Sequence, residues 1–211
     1  MTKIVVQPNA SGTGTFTIAA PNSSNTQTLT LPDETGSVLT DQSNLAGVTG
    51  VGKVLQVVQA IKTDTFSTTS GTYVVVPDLS VTITPSSVSS KLLVVADIAA
   101  SSTHYVYHAA LFQDGVEIGK ADAAGNRPVS LLSGTGNGPD MNTDGIVIFV
   151  SKTLLLSPAT TSAVTYDIRA ARRFDNENSP TTYINRSSPD RNTVAYDSRH
   201  VSTLTVMEIA G

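Results

Sequence analysis

The chain has 211 residues, enough for one large domain or a small one attached to a medium one. Charged residues make up only 14% and aromatics 5%, and the bias towards Ser, Thr, Ala, Val and Gly suits strands and turns over long helices. The absence of Cys excludes disulfides, Cys-ligated metals and thiol catalysis, and a formal net charge of −4 argues against broad nucleic-acid binding through phosphates.

In chain order, the first forty residues read as short strands at Lys3–Gln7, Gly14–Ala20, Thr26–Leu31 and Ser37–Thr40, separated by turns rich in Pro, Asn, Ser and Gly. Met1–Val6 is too short an apolar run for a signal peptide and meets Pro8 at once, so no export address is expected. No stretch approaches the roughly 20 apolar residues that cross a bilayer, so no membrane partner is expected either. In "TQTLTLPDETGSVLT" (26–40) Thr28, Leu29, Thr30 and Leu31 alternate before a turn and a short strand stub, yet a strand, a turn and a stub cannot enclose a core alone. Residues 41–53, "DQSNLAGVTGVGK", have several glycines and no period, which marks a linker.

From Val54 the pattern is β throughout. "VLQVVQAIK" reads as a strand, and "TYVVVPDLSVTITP" as a strand, a Pro-Asp break and a second strand over Ser80–Thr84. "SKLLVVADIAA" is a mostly apolar run, which predicts a strand buried on both faces. "HYVYHAALFQDGVEIG" places Asp114-Gly115 between two runs, the signature of a type I′ hairpin. Strands follow in "DGIVIFVSKTLLLSP", "AVTYDIRAARRF", "TTYINRS" and "STLTVMEIA". The second of these can be drawn as an amphipathic helix, but its β-branched and aromatic content favours strand. Roughly eight to ten strands joined by turns predict an all-β fold: a small N-terminal β segment (1–40), a linker (41–53) and a β-sandwich or jelly roll over 54–211.

Four features invite a chemical reading. "DMNTDG" offers Asp140, Asn142 and Asp144 with a Gly, as a calcium loop begins, but its twelfth place is Ser151 and a strand follows. The expected reading is an Asp/Asn turn. His104 and His108 project to one face of a strand, and His200 is the remaining imidazole; ordinary polar strand residues are the commoner explanation than a metal site. "GTGNG" (134–138) lacks the helix that a phosphate loop needs. No GxSxG elbow or marked carboxylate pair stands out, so neither an enzyme nor a cofactor is expected.

Six of the seven arginines lie between Arg169 and Arg199, interleaved with Asp167, Asp175, Glu177, Asp190 and Asp197. Alternating signs favour local ion pairs over a uniform basic face, and Arg172 and Arg173 are candidates for an interface. Most of the tyrosines (Tyr105, Tyr107, Tyr166, Tyr183, Tyr196) fall in the same unit, a mixture typical of interfaces and sugar-binding surfaces.

The segment "GTFTIAAPNSSNTQTLTLPDETGSVLT" resembles a short β-rich segment of tailed-phage virion proteins. The stretches "TFSTTSGTYVVVPDLSVTITPSSVSSKLLVVADIAAS", "LFQDGVEIG", "DAAGNR", "LLLSPATTSAVTYDIRAA", "YINRS" and, most specifically, "STLTVMEIAG" resemble a domain of phage tail-fibre and virion structural proteins. The resemblance implies a non-enzymatic virion component, a homotrimer of jelly-roll-like subunits exposed on the particle surface after assembly in the host cytoplasm. Its partners would be itself, other virion proteins and a host cell-surface glycan. It carries over no catalytic, cofactor or metal site. In such a trimer Leu29, Leu31, Val38 and Leu39 would meet around the axis, which answers what "TQTLTLPDETGSVLT" packs against. A short trimeric tail fibre or appendage for host attachment is the expected role, with a capsid decoration (cement) protein as the alternative. There is no heptad run or β-helical repeat, so the chain does not itself form a long shaft.

Overall fold

The computed structural model describes Ser11, Gly12 and residues 53–103, 106–127, 129–135, 147–172, 180–192 and 197–211. By contacts the chain separates into two units, Met1–Leu45 and Ala46–Gly211, and every strand described below belongs to the second. The expected anchor (1–40) and linker (41–53) lie outside the described residues, save Ser11, Gly12 and Lys53.

Eleven strands and no helix occur among the described residues: β1 Val54–Lys62, β2 Phe66–Thr68, β3 Val74–Ile83, β4 Lys91–Ser102, β5 Val106–Gln113, β6 Val116–Ile118, β7 Gly134–Thr135, β8 Ile148–Leu156, β9 Val164–Ala171, β10 Thr182–Ile184 and β11 Ser202–Ile209. They form two antiparallel sheets. The first runs β1-β11-β4-β10-β2, with β8 on the other edge of β4; the second runs β3-β9-β5-β6, with β7 also on β5. The 12-residue β4 makes the first sheet possible. Its first half pairs with β11, its last three residues pair with β10, and β8 runs along its opposite edge from Leu92↔Leu156 to Ala100↔Ile148.

The core lies between the sheets and follows the period of two. Leu92, Val94, Ala96 and Ile98 of β4 and Leu204 and Val206 of β11 face Val81 and Ile83 of β3, Tyr107, Ala109 and Leu111 of β5, and Tyr166 and Ile168 of β9. Burying this alternation from both sheets removes apolar surface at ~25 cal/mol per Å² and fixes the register, since a one-residue slip would turn it outward.

Two details differ from the sequence reading. "VVVPDLSVTI" is one strand with a bulge instead of two strands: Val75 pairs Arg169 and Ser80 pairs Asp167, so extra residues are accommodated at Pro77-Asp78, where Asp78 has φ 63°. The bulge lets Val76 and Leu79 both reach the core and places Pro77, which has no N–H, where no ladder bond is lost. β4 is buried on both faces only in its second half; its first half alternates. The Asp114-Gly115 hairpin has φ 47° and 82°, both positive, as a type I′ turn demands.

Candidate functional site

The segment that follows β10 is the most elaborately braced loop among the described residues. Asn185 has φ 62° and is fully buried, a backbone state that Asn tolerates better than most residues. Its Nδ2 donates to the carbonyls of Lys62 (2.8 Å) and Asp64 (3.0 Å), and its Oδ1 accepts from Ser202 Oγ (2.6 Å). Its own N–H donates to Ala99 O, and its carbonyl accepts from His200 N–H. Nothing on this side chain is left unsatisfied, which is what makes its burial tolerable. Lys62, also buried, reaches Asp64 at 2.6 Å and Asp78 at 3.7 Å, which ties the end of β1 to the β3 bulge.

Beyond Asn185, opposite charges alternate and pair. The Arg186 guanidinium lies 4.4 Å over the Tyr183 ring, donates to Ser187 O and Ser188 O, and pairs with Asp190 at 3.3 Å. Asp190 also takes Arg199 at 3.0 Å. Asp197 accepts from Arg191 N and Nε, both at 2.8 Å, and from Ser187 Oγ. The hydrogen bonds from Arg191 and Ser187 hold its carboxyl down at about 2. The arginines therefore act as local clasps, and Arg199 and Arg191 keep much of their side-chain surface in water.

The outward face of the second sheet is the other chemically dense area. Arg169 sits 4.2 Å over the Phe112 ring and binds Asp167 through two nitrogens, at 2.6 and 3.2 Å; Tyr73 meets Phe112 edge-on at 5.5 Å. His108 Nδ1 lies 3.0 Å from Ser133 Oγ, and Ser130 Oγ donates to Ala109 O, so segment 129–135 is fastened over β5. Glu117 Oε1 is buried without a hydrogen bond. Burial pushes this carboxyl up, opposed by Lys120 at 3.9 Å. Tyr107 is fully buried and its hydroxyl has no partner, and burial pushes that phenol up as well.

Of the residues singled out from sequence, Leu29, Leu31, Val38, Leu39, Arg173, Asp140, Asn142, Asp144 and His104 lie outside the described residues. Arg172 is described: it follows β9, its N–H donates to Ser70 O at 2.8 Å, and its guanidinium lies beside Gly71. Thr182 Oγ1 donates to Ala171 O, so Arg172 and the start of the clasped segment share one end of the sandwich. His108 and His200 do not converge. His108 is on the second sheet's outward face, whereas His200 lies against Phe149 of the first sheet, ring centroids 4.9 Å apart. Gly134 and Thr135 of "GTGNG" pair with β5 as β7. Among the described residues no group of three His, Asp or Glu could hold a metal ion. Sequence reading missed the Asn185 node and the burial of Glu208. The parity of β11 held a signal for the second, since Leu204, Val206 and Glu208 all point inward.

In comparison with known proteins, no family model matches the chain, and no curated protein matches it significantly.

Proposed function

We propose that the chain is a non-enzymatic structural component of a tailed-phage virion, a short trimeric tail fibre or appendage that takes part in host attachment. The observation that carries this reading is where the resembling stretches fall. "TYVVVPDLSVTITP" is β3 with its flanks, "SKLLVVADIAAS" covers β4 up to Ser101, "LFQDGVEIG" spans the β5–β6 hairpin, and "STLTVMEIA" is β11 with Ala210, so they lie in the framework of both sheets. The strand order supports a jelly roll. β1-β11-β4-β8 opposes β3-β9-β5-β6, the arrangement produced when two Greek keys wrap into a sandwich. Loops on a rigid sandwich are where binding resides, and Tyr183, Arg191 and Arg199 suit a polar glycan: Arg191 and Arg199 are already held by Asp197 and Asp190, so engaging them costs little further entropy.

A capsid decoration protein is the second reading, favoured by the lack of any heptad or β-helical repeat from which a shaft is built. Antibody labelling of intact particles, together with adsorption assays in the presence of the purified chain, separates the two. Label at the tail and blocked adsorption are expected. Label over the head shell, with improved shell stability, would favour decoration, and unlabelled particles would overturn both.

A further inference from the structure

The exposed ion pairs of the segment after β10 share an orientation, with the carboxylate turned in and the guanidinium out. Asp197 keeps 4% of its side-chain surface in water against 40% for Arg191, and Asp190 keeps 25% against 59% for Arg199. The arrangement is not general in the chain, since at Lys62 the cation is buried and Asp64 and Asp78 are exposed. Asp190 is also shared. Arg186 reaches its Oδ2 at 3.3 Å and Arg199 reaches the same oxygen at 3.0 Å. Three guanidiniums thus face two carboxylates, and one positive charge is left over in a chain whose formal net charge is −4. The two clusters are joined by one hydroxyl: Ser187 Oγ donates to Asp197 and accepts from the Asp190 N–H at 3.3 Å.

We infer that this clasp holds the anionic group of an acidic saccharide, one carrying a carboxylate or a phosphate, which rests on the host-attachment reading above and adds to it the charge of the ligand. The arginines have unequal parts. Arg186 is taken up by structure: Nε and Nη2 donate to the carbonyls of Ser187 and Ser188, Nη1 faces Asp190, and the guanidinium covers the Tyr183 ring. Arg199 is not. Only its Nη2 touches Asp190, and its other two guanidinium nitrogens have no partner among the described residues. A planar fork with unused N–H groups matches a carboxylate or phosphate through parallel charge-assisted bonds, which are roughly twice as strong as neutral ones. A sugar hydroxyl offers no such match. Arg191 is held by Asp197 through its backbone N–H and Nε, both at 2.8 Å, with the rest of its fork turned to water. Beneath them Asn185, Ser187 and Ser188 are buried, so the charged groups stand on a fixed backbone and little ordering is left to binding. A nucleic acid fits less well, because its many phosphates would meet a chain that is negative as a whole.

Titration calorimetry on the full-length chain tests this with two matched pairs of probes, trigalacturonate against its methyl ester and mannose 6-phosphate against mannose, and with an oligothymidylate as a generic polyanion. The native protein is compared with R199Q, R199K and R127Q, the last an exposed arginine outside this segment. Circular dichroism confirms folding of each, and R199K keeps the charge opposite Asp190 if R199Q does not fold. At least one charged probe should bind about tenfold tighter than its neutral counterpart, with about fivefold or greater loss in R199Q and R199K and none in R127Q. Preference within the first pair assigns a carboxylate, and within the second a phosphate. No preference in either pair, native-like binding by both Arg199 variants, or an oligothymidylate bound as tightly as the better sugar would overturn the assignment. Labelled tails and blocked adsorption without any charge preference would sink it and leave the attachment reading intact. Charge-selective binding by a chain absent from particles would do the reverse.

Discussion

Glu208 shows how a single parity position can govern stability. It is fully buried at the inward side of β11 and accepts from Ser86 N (2.7 Å), Ser86 Oγ (2.6 Å), Ser90 Oγ (2.6 Å) and Gln56 Nε2 (2.6 Å). Burial pushes the carboxyl up, but these donors outweigh it and hold it at about 2. The folded state thus binds the proton less readily than the unfolded chain. The stabilisation is complete above the ordinary Glu value of 4.5 and is lost as pH falls from there through about 2. Glu208→Ala strands several buried donors at once and should cost about 2–3 kcal/mol, a melting drop of roughly 5–10 °C at neutral pH. In the native protein, melting should fall steeply below pH 4.5, and the variant's curve should be flatter there. Calorimetry across pH 2–7 checks both. Once β11 is read as a strand with Leu204 and Val206 inward, Glu208 must point inward too, so its burial was legible. Its donors were not, because Ser86, Ser90 and Gln56 approach from 118 to 152 residues away in sequence. Asn185 was illegible for a like reason: its partners Lys62, Asp64, Ala99, His200 and Ser202 lie on or beside β1, β4 and β11, and a lone Asn in "TYINRS" looks like any turn residue.

At the scale of elements, legibility tracked length and local chemistry. Strands of eight residues or more lay within apolar or alternating runs rich in β-branched residues, and the β5–β6 turn was marked by Asp-Gly. β2 and β7, at three and two residues, are too short to show a period and exist because β10 and β5 offer them an edge. The β3 bulge was legible as a Pro-Asp break but not as a continuation, because its pairing is decided by β9. Gly134 is an element-level constraint that no local pattern reveals: a Cβ there would come within 2.5 Å of the Tyr107 hydroxyl and 2.7 Å of its ring. Tyr107 is fully buried in the core and has nowhere to swing, so Gly134→Ala should destabilise by about 1–3 kcal/mol through overpacking. Gly134→Ala paired with Tyr107→Phe should recover part of that loss, because the atom in closest conflict is removed. Urea unfolding of the single and double variants measures the coupling; equal midpoints for the native protein and Gly134→Ala would show that the β5–β7 approach is looser than this.

For the whole molecule, the two sheets create two unlike surfaces and one clasped end. The second sheet's outward face carries the Arg169–Asp167 pair and is partly covered by segment 129–135; the first sheet's carries the exposed apolar residues Val57, Phe149 and Leu155. The mixture of arginines and aspartates between Arg169 and Arg199 was readable as local pairing, and the Arg186–Asp190–Arg199 and Arg191–Asp197 pairs have that form. The outward apolar row of Val57, Met207, Leu93 and Leu155 was not readable, since it takes one residue from each of β1, β11, β4 and β8 and shows only when their registers are known. The central claim is the proposed trimeric virion component, and the mass of the full-length chain at sedimentation equilibrium tests it most directly. The account predicts a species of three times the single-chain 22.0 kDa that persists on dilution to low micromolar concentration. A species of one chain's mass at every concentration would contradict it.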